Sequence, residues 1–128
     1  MLTVDSPEFV SWFTAAQAIV DEYRNQHFPT LPRVILSVKP GQKMVKVISA
    51  WENKSHCSVW GFVAMVDNTT KSLGIVKAGD VMKAASFNVP AKHARGNILD
   101  STNGTSRLTA HGPSYLYSLP KFQLKTCL

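Results

Sequence analysis

The sequence predicts an α+β fold: one N-terminal amphipathic helix packed on an antiparallel β-meander of four to five strands, with a short C-terminal helical turn. Three observations predict it. Apolar residues recur at helical spacing over the first 27 positions, β-branched runs separated by turn residues follow as far as Ala85, and the periodicity then fades. Strands that follow a single helix, without alternating with further helices, leave that helix to cover one sheet face.

Ser6-Pro7-Glu8 is a helix start: Ser6 is placed to cap free N–H groups, Pro7 fits the first helical position and Glu8 complements the dipole. Phe9, Phe13, Ala16, Val20 and Tyr23 follow at spacings of four and three, widened by Trp12, Ala15 and Ile19, so the helix ends near His27, before Pro29. Arg33 to Lys39 is the first strand and Lys43 to Trp51 the second, joined at Pro40-Gly41, where Pro fixes φ and Gly takes a positive one. On the second strand Val45, Val47 and Trp51 share one face, and Lys46 and Ile48 the other. Ser58 to Val66 is apolar on both faces and reads as a central third strand. Asp67 to Thr70 turns the chain, Ser72 to Val76 is a fourth strand, and Val81 to Ala85 a fifth. Pro90 to Gly96 is a helical turn opened by Pro and closed by Gly. His111-Gly112-Pro113 marks a further turn.

At 128 residues and 45% hydrophobic content the chain is expected to form one domain, 1–117, with a mobile tail, 118–128. Its core suffices without metal or disulfide. No apolar run reaches the roughly 20 residues of a membrane span, and Met1 to Asp5 does not open a secretory signal. Cys57 and Cys127 match no zinc or redox spacing, which favours free thiols and a cytosolic setting.

The net charge of +6 is unevenly spread. Residues 1–70 hold six basic and six acidic side chains, while residues 71–128 hold eight basic side chains against Asp80 and Asp100. A surface facing phosphate or an acidic partner shows such asymmetry, and so does a merely soluble basic surface.

Catalytic motifs are absent. His27, His56, His93 and His111 have no metal-ligand spacing, carboxylates are few and scattered, and neither a Gly-x-Ser-x-Gly elbow nor a phosphate-cradling glycine loop occurs. No cofactor is expected. A small hydrolase using Cys57 with His93 or His111 is the weakest reading.

The stretch from Lys83 to Asn97 concentrates Lys83, Lys92, His93 and Arg95 around the expected helix N-terminus, where free N–H groups attract an anion. Phe87, and separately Trp51, offer rings on which a base can stack. These six residues are the candidate nucleic-acid or anion site. In the opposing reading, Phe87 and Val89 plug the core while Lys92 and Arg95 are solvated or pair with Asp100. Trp60 is expected in the core.

Gly79-Asp80-Val81-Met82-Lys83-Ala84-Ala85-Ser86-Phe87, running into Pro90-Ala91-Lys92-His93-Ala94-Arg95-Gly96-Asn97, resembles a block found in small bacteriophage proteins of unknown function, with His111 to Leu116 as their Tyr-containing C-terminal piece. Phe87 stands where that block has tryptophan. The resemblance covers residues 33–116 and carries no catalytic assignment. It implies an accessory protein in the cytoplasm of an infected bacterial host. The resulting expectation is a non-enzymatic nucleic-acid binder (DNA or RNA). The alternative is a protein-binding inhibitor of a host or anti-phage defence enzyme, that is, counter-defence.

Overall fold

The computed structural model describes residues 2–53, 57–71 and 73–114. Helix α1 (Pro7–His27) leads into β1 (Val34–Pro40), β2 (Met44–Trp51) and β3 (Cys57–Ala64). Short strands follow: β4 (Asn68–Thr70), β5 (Gly74–Val76), β6 (Val81–Met82), β7 (Leu108–Thr109) and β8 (Gly112–Pro113). Strands β1, β2, β3 and β6 form one antiparallel sheet in that order, while β4–β5 and β7–β8 are separate hairpins. This is the α+β arrangement that the sequence predicts, with β3 in the interior of the sheet. The expected tail, 118–128, lies outside the described residues.

The apolar stripe of α1 does what its spacing requires. Phe9, Trp12, Ala16 and Val20 are buried against Leu36, Val45, Val47, Trp60 and Val63 of the sheet. Burial of each large side chain contributes about 1.5–3 kcal/mol, and this apolar layer seats the helix. Two polar links fix its direction. The Gln17 carboxamide accepts a hydrogen bond from Leu36 N at 2.8 Å and donates one to Val34 O at 2.9 Å. Asp21 receives both Nε and Nη2 of Arg33, at 3.1 and 3.0 Å.

Trp60 enters the core through a bulge. Val47 pairs with Gly61 and Ile48 with Val59, which leaves Trp60 as an extra residue. An inserted residue leaves the alternation of the strand, so the indole turns to the helix. It lies edge-on to Trp12, with ring centroids 6.0 Å apart, and donates to Ala110 O at 3.2 Å.

Local details depart from the expectation. The Ser6 side chain does not cap α1; its hydroxyl accepts from Thr3 N at 3.0 Å in the preceding turn. Gly41 does not adopt positive φ. β1 runs on through Pro40, and the loop closes one residue later, with Gly41 N donating to Met44 O at 2.9 Å. Asn68 to Thr70 is a strand and not a turn, because it pairs with β5 outside the main sheet. β6 stops at Met82, shorter than the fifth strand expected.

Candidate nucleic-acid interface

The block 79–98 divides into a scaffold and an excursion. Its two ends are laced together: Val81 N donates to Gly96 O at 2.9 Å, Arg95 N to Val81 O at 2.7 Å, and Ile98 N to Gly79 O at 2.9 Å. Asp80 and Asn97 form a β-bridge between them. Val81, Met82 and Ile98 are buried. The chain between these ends leaves the sheet and returns, closed by Ala91 N donating to Lys83 O at 2.6 Å and Ala85 N to Val89 O at 2.8 Å. Phe87 sits at the tip of this excursion, 52% exposed.

The helical turn expected at Pro90 to Gly96 does not form. The amides of Ala91 and Arg95 bond to Lys83 and Val81 and not to their own segment. His93 adopts φ 73° and Gly96 φ 151°, both incompatible with a helix. There is therefore no helix N-terminus here to attract an anion.

The candidate residues scatter accordingly. Arg95 is 7% exposed, and its guanidinium is surrounded by backbone: Nε donates to Ser114 O, and Nη1 to both Lys92 O and His93 O, at 2.7–3.1 Å. Burial lowers the Arg95 pKa from its ordinary value. Arg95 thus holds the returning chain to the segment after β8, and it pairs with no phosphate-facing surface or with Asp100. Lys83 is half-buried and donates to Pro113 O at 3.3 Å. Lys92 and His93 are exposed. Trp51 lines a different cavity, of about 330 Å³, beside Tyr23, Phe28, Trp60 and His111. Cys57 is exposed and lines a small hollow with Val34, Ser49, Ala50, Trp51 and Ser58, and neither His93 nor His111 is among the residues lining it. The alternative in which Phe87 and Val89 plug the core is not what forms, since both are about half exposed.

Phe87 instead meets residues that sequence reasoning missed. The outer sheet face, away from α1, carries a cross-strand row: Lys39 of β1 opposite Lys46 of β2, and Lys46 opposite Phe62 of β3. Lys46 Nζ lies 4.2 Å from the centroid of the Phe87 ring and donates to Asn88 Oδ1 at 2.6 Å. The excursion is thereby pinned over the sheet. Beside it opens a groove of about 570 Å³, lined by the β1–β2 hairpin (Lys39, Lys43, Met44, Lys46), Phe62, Asn68, Thr70, Asn88 and Pro90. Among the described residues no carboxylate lines it. Lys43 Nζ ends on Asn68 Oδ1 at 3.2 Å, again a neutral carboxamide.

This electrostatic arrangement is costly for folding. Like charges directly opposite on neighbouring strands destabilise a sheet, and Lys39 and Lys46 are directly opposite. An anion lying between them would relieve that repulsion. The Lys39–Lys46 pairing was visible once the hairpin register was known, whereas the approach of Asn88 from 42 residues away was not. Of the six acidic side chains that balance the basic ones of residues 1–70 by count, Glu8, Asp21 and Glu22 are on α1, and none of the six lines the groove.

Among the described residues no helix is long and apolar enough to cross a membrane. Among the described residues no group of three His, Cys, Asp or Glu side chains is placed to hold a metal. No curated protein and no solved structure matches this chain. A family model does match, over residues 14–118, from the middle of α1 past β8 and across every residue of the groove. The chain belongs to that family, a family of unknown function (DUF7717).

Proposed function

We propose that this chain is a non-enzymatic nucleic-acid-binding accessory protein that holds phosphates in the groove between the β1–β2 hairpin and the 84–93 excursion. The observation that carries the reading is the Lys39–Lys46 cross-strand pair, set in a groove without carboxylates and flanked by a half-exposed phenylalanine. Lysines supply point charges for phosphate, and an aromatic face supplies stacking for a base. Lys92 is exposed at the returning end of the excursion, outside the groove itself. Arg95 serves by holding that excursion in place. The resemblance of residues 79–97 to small bacteriophage proteins supports a role in the cytoplasm of an infected bacterium.

The test is a titration of fluorescent DNA and RNA at low and high salt, with Lys43→Gln and Lys46→Gln variants alongside wild type. Binding that weakens with salt and falls in both variants supports the reading. Absence of binding at low salt sinks it.

A protein-binding inhibitor of a host or defence enzyme is the second reading, favoured by Ile75 and Val89, apolar side chains 74% and 51% exposed. Recovery of one stoichiometric protein partner from nuclease-treated lysate would favour it, and loss of the partner on nuclease treatment would favour nucleic acid.

A further inference from the structure

We infer that the groove takes a single-stranded polynucleotide, held through its phosphates and one stacked base and read with little sequence preference. This rests on the nucleic-acid reading above and narrows it. Duplex DNA is read by an α-helix or a two-stranded ribbon inserted in the major groove. Helix α1 is not available for that: its stripe is buried on the opposite sheet face, and it exposes Glu8 and Glu22. Strand β2, which carries Lys46, is paired on both sides, so it is no free ribbon.

Base-specific reading also lacks its usual tool, the arginine fork that grips a guanine edge. Arg24 donates to Leu31 O and Pro29 O, Arg33 is paired with Asp21, and Arg95 is buried among carbonyls. None of the four arginines lines the groove. What the groove offers is suited to a flexible strand. Lys39, Lys43 and Lys46 give three positive charges within one hairpin, for two or three successive phosphates. Phe87, with Lys46 held against its ring, keeps half its surface open to a base. Stacking of this kind accepts any base, because every base has a π-face.

The experiment compares labelled oligothymidylate and oligouridylate of about 12 nucleotides with a duplex of the same length, at about 50 and 200 mM salt. Single strands are expected to bind at least about tenfold tighter than duplex. The logarithmic salt slope should be near −2, from three lysines at about 0.7 each. Phe87→Ala should weaken single-strand binding about tenfold with an unchanged melting temperature. Preference for only one of the two strands still supports single-strand binding, and an oligodeoxyuridylate of the same length then separates the 2′-hydroxyl from the thymine methyl as its source. Duplex bound as tightly as single strand overturns it while leaving the nucleic-acid reading intact. Strand binding unchanged in Phe87→Ala overturns the stacked base. Failure to bind any of the three at low salt overturns both readings.

Discussion

Asn97 occupies the space that a side chain on Gly79 would need. A Cβ at Gly79 would lie 2.6 Å from Asn97 Oδ1, and the Asn97 Nδ2 donates to both Ala78 O and Asp80 Oδ1 at 3.0 Å. Gly79 also adopts φ 91°, a conformation glycine alone takes readily. Gly79→Ala is therefore expected to cost about 2 kcal/mol or more, combining backbone strain and overpacking. Asn97→Ala should cost about 1–3 kcal/mol by leaving the Ala78 carbonyl and Asp80 without their donor. Urea denaturation measures both, and loss of less than half a kilocalorie (about 0.5 kcal/mol) in each would show that this junction does not hold the fold.

Arg95 and Lys92 are both basic residues of one short segment, yet they should behave oppositely. Arg95→Ala removes three hydrogen bonds from a buried guanidinium and should destabilise by about 2–3 kcal/mol. Lys92 is exposed, so Lys92→Ala should leave the melting temperature within a degree or two (about 0.5 kcal/mol or less) and act only on ligand affinity. Equal thermal shifts for the two variants would contradict this division.

The lysine groove makes a graded prediction. Each of Lys39→Gln, Lys43→Gln and Lys46→Gln should flatten the salt dependence of binding by about 0.7 in logarithmic slope, and Lys39→Gln should raise stability slightly by removing a like-charge pair. Lys46→Gln carries a second effect, since it also releases Asn88 and Phe87. Faster hydrogen exchange confined to residues 84–91 in that variant alone would report the loss of the pin.

Acid should loosen the join between helix and sheet. The hydrogen bonds from Arg33 hold the Asp21 carboxyl below its ordinary pKa, and those from the Thr102 hydroxyl and the Gly104 amide do the same for Asp100. A carboxylate with a depressed folded pKa stabilises fully above its unfolded value of about 4. That contribution is lost as pH falls through the lower folded value. Urea midpoints should therefore drop between pH of about 6 and about 3, and drop less in Asp21→Asn. An identical drop in the variant would remove Asp21 from the account.

The parts of this fold that could be read from the sequence are those fixed by short-range pattern. α1 follows from Phe9, Trp12, Ala16 and Val20 at helical spacing, and the β1–β2 hairpin from β-branched runs around Pro40-Gly41. The Trp60 bulge was hidden, because an inserted residue breaks no rule of composition. The candidate site was half legible. Phe87 and Lys92 are at the surface, where the pattern leaves Phe87 open between ligand contact and core, and Arg95 reads as a solvated or phosphate-facing arginine until the carbonyls of Lys92, His93 and Ser114 close around it. Counting charge by halves of the chain assigned the basic surface to residues 71–128. In three dimensions Lys39, Lys43 and Lys46, from the half of zero net charge, line the groove next to the excursion. Strand pairing sorts charge by face, which a count along the chain does not register.

The carboxamide of Gln17 has one more consequence. β1 lies at the margin of the sheet, where unsatisfied amides and carbonyls invite another chain to add itself as a strand. Gln17 meets Leu36 N and Val34 O as a neighbouring backbone would, so a side chain from the helix imitates the missing strand for one step. At the other margin β6 offers only two residues. Between them these two devices shorten the ladder open to an incoming strand, the kind of addition on which templated fibril growth depends.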